Sequence, residues 1–187
     1  EILVTGAVEG FDFLGEIGVQ TANIAPFSAL AGRELGGALD LRASGEIWPL
    51  TGGFRLLLDG TIQELRIDNP AVDNLMGGET RITGALGRTE EGLSTEDFRV
   101  ANEQFELSAN GTFATGAADF GFDFELADLA LVSPQASGRL VATGRALGED
   151  GVINLTTSVD VPSGTLAGQR LTEASFGFEG DLEDVTL

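Results

Sequence analysis

The sequence predicts an all-β fold, a long curved sheet folded into an open apolar trough with little or no helix. Three observations predict it. Apolar and polar residues alternate with a period of two, glycines recur inside the alternating runs, and helical patterning is almost absent. The 187 residues contain no linker and no abrupt change of composition, so we interpret 1–187 as a single all-β segment. Because the chain starts at Glu1 and ends in a strand-like run, we expect it to belong to a longer protein.

Alternation is clearest in residues 120–126, where Phe120, Phe122, Phe124 and Leu126 fall on one side of a strand. Gly, Asp and Glu occupy the other side. The same pattern predicts further strands around residues 38–42, 54–59, 105–109, 153–161 and 175–179. Each predicted strand therefore has one apolar face. The exception to the strand pattern is residues 69–76, where Asn-Pro opens a short helical turn that Gly77 and Gly78 close.

Glycine recurs in the form apolar, polar, Gly, polar, apolar. This form surrounds Gly45, Gly60, Gly84, Gly111 and Gly180. Glycine weakens strand pairing, so a recurrent glycine inside a strand indicates a bulge or a bend. A hairpin turn is the alternative for any one of them, and the recurrence favours bends. A sheet bent at the same place on every strand would form a trough.

Composition narrows the classes of function. Histidine, cysteine and tyrosine are absent, which removes Ser-His and Cys-His nucleophiles, disulfides and zinc sites built on those ligands. A net charge of -20, with arginine as the only basic residue type, argues against binding nucleic acid. We therefore predict a non-catalytic protein with no metal and no cofactor. We interpret Glu90 and Glu91 as a solvated turn rather than a weak calcium site.

Twelve phenylalanines and many aliphatic residues supply the apolar faces. An ordinary core between two stacked sheets and an open lining for acyl chains both require one apolar face per strand, so alternation leaves both open. The candidate lining residues are Phe11, Phe13, Leu39, Leu41, Phe54, Leu56, Leu58, Ile82, Leu86, Phe105, Leu107, Phe113, Phe120, Phe122, Phe124, Ile153, Leu155, Phe176 and Phe178.

Residues 65–86 resemble the TamB family, the translocation and assembly module. In that family a short turn ending in Leu-x-Gly-Gly leads into a strand of the form x-φ-x-Gly-x-φ. Here Leu75 to Gly78 match the first element and residues 81–86 match the second. Residues 36–59 and 92–113 keep the same rhythm, so the resemblance covers most of the chain. The alanine-rich sequence with arginine as its only basic residue type is typical of a GC-rich proteobacterium.

The resemblance implies a periplasmic segment of an inner-membrane-anchored protein, related to AsmA-like and bridge-like lipid carriers. It implies a sheet curled into a trough, called a β-taco, with an apolar interior that conducts phospholipid between the inner and outer membranes. The implied partners are phospholipid acyl chains, neighbouring β segments of the same chain and a BamA-like outer-membrane protein. An alternative is a scaffold that templates strands of outer-membrane proteins during their assembly. A transmembrane barrel or a carbohydrate-active sandwich would need more Trp and Tyr than this chain has.

Overall fold

The computed structural model describes residues 1–149 and 151–183, and it is all-β, with 70% strand and 8% helix. The predicted fold class is confirmed to that extent. The strands are β1 (Ile2–Glu9), β2 (Asp12–Thr21), β3 (Gly36–Trp48), β4 (Gly53–Arg66), β5 (Glu79–Thr89), β6 (Gly92–Ala101), β7 (Phe105–Ala114), β8 (Ala117–Leu126), β9 (Ala136–Ser137), β10 (Leu140–Glu149), β11 (Val152–Leu166) and β12 (Gln169–Glu183). The helices are α1 (Ser28–Ala31) and α2 (Pro70–Leu75), with 3₁₀ turns at Ala25–Phe27 and Leu129–Leu131.

All the strands form one antiparallel sheet of 12 strands, which is not closed into a barrel. Its order follows the chain from β1 to β8 and continues with β10, β11 and β12. The short strand β9 pairs with β11 where β10 has not yet begun. Within the described residues, β1 pairs only with β2 and β12 pairs only with β11, so the sheet has two open edges.

The two ends of the strands differ in how they are connected. At one end, short turns join β1 to β2, β3 to β4, β5 to β6 and β7 to β8; we call this the turn end. At the opposite end lie the longer connections, which hold both helices, both 3₁₀ turns and β9. We call this the connection end. The tight β11–β12 turn also lies there.

The helix predicted at residues 69–76 is confirmed as α2. Asn69 caps it, because its Oδ1 accepts hydrogen bonds from the backbone N–H groups of Ala71 (3.1 Å) and Val72 (3.3 Å). Proline follows at the first helical position, where its missing N–H costs nothing. The helix α1 and the two 3₁₀ turns were not predicted, because each spans a single short turn without helical periodicity.

The five glycines in the recurrent pattern all lie inside strands: β3, β4, β5, β7 and β12. The hairpin-turn alternative is therefore wrong for them. Gly84 and Gly111 have φ values of 135° and 132°, and both face an irregular stretch of β6. A Cβ on Gly84 would lie 2.5 Å from the Cα of Phe98, so a side chain at this position would force the two strands apart.

The ladder register assigns every strand residue to one of two faces, because directly paired residues point to the same side of the sheet. Following the pairs across the ladders gives one face that is almost entirely apolar. One row of paired positions runs through Gly15, Gly45, Leu56, Leu86, Thr95, Gly111, Phe120, Ala146 and Leu155. We call this side the apolar face.

The opposite side is the polar face, and it carries ion pairs between neighbouring strands. Arg81 contacts Asp59 at 2.5 Å, Arg99 contacts Glu106 at 2.6 Å, and Arg145 contacts Asp119 at 3.2 Å. All these side chains are more than two-fifths exposed, so solvent screens each pair and its contribution to stability is small. These exposed charges show that the polar face is hydrated.

Candidate functional site

The apolar face contains every predicted lining residue except Phe11. The register places the others at paired positions on this side of the sheet. Phe11 lies in the turn between β1 and β2, and its side chain is 69% exposed. Gly10, with a φ of 68°, begins the turn, so Phe11 lies outside both strands and not on the apolar face as predicted.

Large side chains on the apolar face remain partly exposed. Of the large apolar side chains in the described residues, only Leu126, Ile153 and Val161 are buried, and Ile153 is completely enclosed. Phe120, Phe122 and Phe124 keep part of their surface accessible. In a sandwich of two sheets, such side chains would be buried against a facing layer. Within residues 1–149 and 151–183, no second sheet and no long helix covers them.

Exposure on this face is highest at the two open edges. Ile2, Val4 and Val8 on β1 are exposed, and so are Phe176 and Phe178 on β12. The two phenylalanines expose 55% and 61% of their surface. Apolar patches of this kind mark sites that bind another apolar surface. The apolar face is therefore accessible at both edges of the sheet.

A cavity of about 310 Å³ lies on the apolar face near the turn end. Its side chains come from five strands, β4 to β8, and include Phe54, Leu86, Leu93, Phe113 and Phe120. Gly111 and Thr95 lie on its floor, and their small size leaves the space open. Beside the cavity, Ile153 packs with Ala118 and Ala146 in a buried cluster that Phe113, Phe120 and Leu155 partly cover. That cluster fixes two of the rings that line the cavity.

Small residues in neighbouring strands make room for the large rings. The ring of Phe122 lies over Gly144 in the adjacent strand β10, so closely that a Cβ on Gly144 would overlap it. The ring of Phe13 covers Gly6 and Gly15 in the same way. Phe105 and Phe124 are in diagonal contact, with ring centroids 6.1 Å apart. The apolar face is thus a packed layer of rings and aliphatic groups on a glycine-rich backbone.

Sequence reasoning missed the contribution of β6 to the apolar face. Leu93 and Thr95 lie on this face, but so do Phe98 and Val100, which have the opposite parity. The change of phase occurs at Glu96 and Asp97, where the β6 register shifts against both neighbours. Two alternating pairs in opposite phase, Leu93 with Thr95 and Phe98 with Val100, are the sequence signal that could have found the bulge.

The titratable groups of the described residues were compared with the arrangement that a metal site needs. No group of three or more carboxylates in the described residues is arranged to hold a metal ion. Hydrogen bonds from the backbone N–H groups of Ala130 and Gly138 lower the pKa of Asp128. Glu106 and Glu125 raise the pKa of Arg99 and Arg139, respectively, through hydrogen bonds and charge attraction. Each of these shifts belongs to an exposed structural contact rather than to a cleft.

Two further observations bear on the site. None of the helices in the described part of the chain is long and apolar enough to cross a membrane. In comparisons with known proteins, no family model, no curated protein and no solved structure matches this chain.

Proposed function

We propose that this chain is a periplasmic groove segment that binds phospholipid acyl chains and conducts them between two membranes. In this proposal the sheet curves into an open trough with the apolar face inside, as part of an inner-membrane-anchored protein. The observation that carries the proposal is an apolar face that runs across the sheet and that no other element covers within residues 1–149 and 151–183. The resemblance of residues 65–86 to the TamB family supports the periplasmic location and the transfer of lipid between membranes.

The energetics favour a long, apolar and weakly structured ligand. Covering apolar surface contributes about 25 cal/mol per Å², or about 0.8 kcal/mol for each methylene group that leaves water. No directional bond is needed, so an acyl chain could move between equivalent positions along the face. At about 4.8 Å per strand, the path from β1 to β12 would measure on the order of 50 Å. One such segment would cover part of the distance between two membranes.

Adjacent residues on opposite faces give a matched test. Leu56 lies on the apolar face, whereas its neighbour Leu57 is exposed on the polar face. Leu56→Asp is expected to remove lipid that co-purifies with the protein, because it places a charge among apolar side chains. Leu57→Asp is expected to retain it. Native mass spectrometry of gently purified protein measures the bound lipid.

A second readout keeps the test informative if Leu56→Asp does not fold. A photo-crosslinking amino acid at Phe122, on the apolar face, is expected to capture phospholipid, and the same group at Asp123 is not. Wild-type protein that carries no lipid, together with no lipid captured at Phe122, would overturn the proposal.

The open edges of the sheet favour a second candidate function. An unpaired edge strand can pair with an incoming strand, and β1 and β12 both present such an edge in the described structure. The chain would then act as a scaffold for outer-membrane protein assembly, together with a BamA-like partner. Cross-links from β1 or β12 to an unfolded barrel protein, without cross-links from Phe122 to lipid, would favour this candidate.

A further inference from the structure

Arg88 interrupts the apolar face at the turn end. In the register it pairs with Phe54 on one side and with Leu93 on the other, both of which are apolar-face residues. Over β1 to β11 it is the only charged side chain at a paired position of this face in the described residues. Arg88 is exposed, so its charge stays hydrated at the turn end of the apolar face.

Arg88 has no ion-pair partner among the described residues. Arg81 in the same strand and Arg99 in β6 each contact a carboxylate on the polar face. The side chain of Arg88 points to the other side and has no carboxylate within 4.0 Å in the described structure. Its guanidinium therefore keeps its hydrogen-bond donors available for a ligand.

Two cavities lie at this end of the apolar face, and Arg88 lines one of them. The apolar cavity of about 310 Å³ and a second cavity of about 470 Å³ share Leu93 in their walls. The second cavity is lined by residues 88–93, which include Arg88, Glu90 and Glu91, and by Ala114 and Thr115. An apolar compartment thus lies next to a charged one, at the rim of the apolar face.

We infer that this pair of cavities binds a phospholipid with a zwitterionic head group, which carries both a phosphate and a primary ammonium. The guanidinium of Arg88 offers paired N–H donors to the phosphate oxygens. The carboxylates of Glu90 and Glu91 attract the ammonium group. One acyl chain enters the apolar cavity between Phe54 and Phe113.

The charge pattern selects this head group over an anionic one. Two carboxylates and one guanidinium give the head-group cavity a net negative charge, which opposes a ligand with phosphate alone. A zwitterion complements both signs. This inference rests on the proposed function, since it specifies where along the apolar face a phospholipid head group lies and which head group is preferred.

Three diacyl probes with identical acyl chains test the inference: phosphatidylethanolamine, phosphatidylglycerol and diacylglycerol, each with one fluorescent chain. Binding is measured for the wild-type protein and for Arg88→Gln, Glu90→Gln/Glu91→Gln and Arg42→Gln. Arg42 lies on the polar face of β3 and pairs in the register with Gly18 and Asp59, so Arg42→Gln makes the same charge change on the other side.

Arg88→Gln is expected to lower the affinity for both phospholipids by about fivefold, a change typical of losing one exposed ionic contact. The affinity for diacylglycerol is expected to stay unchanged. Glu90→Gln/Glu91→Gln is expected to lower the affinity for phosphatidylethanolamine and to raise the affinity for phosphatidylglycerol. Arg42→Gln is expected to change none of the three.

Equal binding of phosphatidylethanolamine by wild-type protein and Arg88→Gln would overturn the inference while leaving the proposed function in place. A preference for phosphatidylglycerol in the wild-type protein would overturn it as well. Failure of the wild-type protein to bind any of the three probes, diacylglycerol included, would instead contradict the proposed function.

Discussion

Asn102 and Thr80 are joined by a hydrogen bond of 2.9 Å, in which the side-chain amide of Asn102 donates to the Thr80 hydroxyl. The same nitrogen donates to the carbonyl oxygen of Leu75 at the end of α2, at 2.8 Å. Thr80 is fully buried, and its hydroxyl faces the sulfur of Met76. One side chain therefore fastens α2 to the sheet between β5 and β7.

Asn102→Ala is expected to lower the free energy of unfolding by about 1–3 kcal/mol. The buried hydroxyl of Thr80 and the carbonyl of Leu75 would lose their donor, and the backbone N–H groups of Gln104 and Phe105 would lose their acceptor. The midpoint of urea unfolding measures the loss. Asn74→Ala is the control, since Asn74 makes an exposed hydrogen bond to the carbonyl oxygen of Leu131. Equal losses of stability in the two variants would contradict a special contribution from the partly buried hydrogen bonds of Asn102.

Gly144→Val is expected to destabilise the sheet by about 1–3 kcal/mol, because the added side chain occupies the position of the Phe122 ring. In a Phe122→Ala background the same substitution should cost much less. A double-mutant cycle of urea midpoints measures this coupling. Gly177→Ala in β12 is the control, since no atom lies within 4 Å of a Cβ there. If Gly144→Val destabilises the Phe122→Ala variant as much as the wild-type protein, the Phe122 ring is not what opposes the added side chain.

Asp97→Val is expected to cost about 1–2 kcal/mol, because Asp97 has a φ of 47° and a β-branched side chain is strained in that region. Asp97→Gly should be tolerated, since glycine adopts positive φ without strain. Thermal or urea unfolding of the two variants separates the backbone effect from loss of the carboxylate. If both variants lose the same stability, the carboxylate and not the backbone matters.

Asp128 predicts a dependence of stability on pH. Its folded-state pKa is lowered by hydrogen bonds from the N–H groups of Ala130 and Gly138, so its contribution is present above the unfolded pKa of about 4 and lost as the pH falls through the folded value. The difference in urea midpoint between wild-type protein and Asp128→Asn should therefore be largest near neutral pH and shrink below about pH 4. A difference that stays constant over this range would contradict the assignment.

Much of the apolar face was predictable because strands with one buried face impose a period of two on the sequence. Runs such as residues 120–126 and 54–58 therefore identified their apolar-face positions directly. The recurrent glycines were also predictable as interior positions of strands. These features are local, and each can be recognised within a few residues of chain.

The other features depend on contacts between strands, which the alternation within one strand does not reveal. The bulge in β6 exists because the side chain of Asn110 in β7 accepts a hydrogen bond from the N–H of Asp97, at 2.7 Å, while Gly84 leaves room on the other side. No alternation rule reveals which residue takes the extra position. The position of Arg88 on the apolar face could not be predicted for the same reason, since only the register shows that it lies between Phe54 and Leu93.

The order of the strands also bears on how the sheet assembles. Almost every strand pairs with the strand that precedes it in the sequence, and the exceptions are confined to the short β9 and its neighbours. Pairing between sequence neighbours keeps loop-closure entropy low, so each hairpin can form without waiting for a distant segment. Folding could therefore propagate strand by strand from either edge, with the growing edge as the template for the next hairpin.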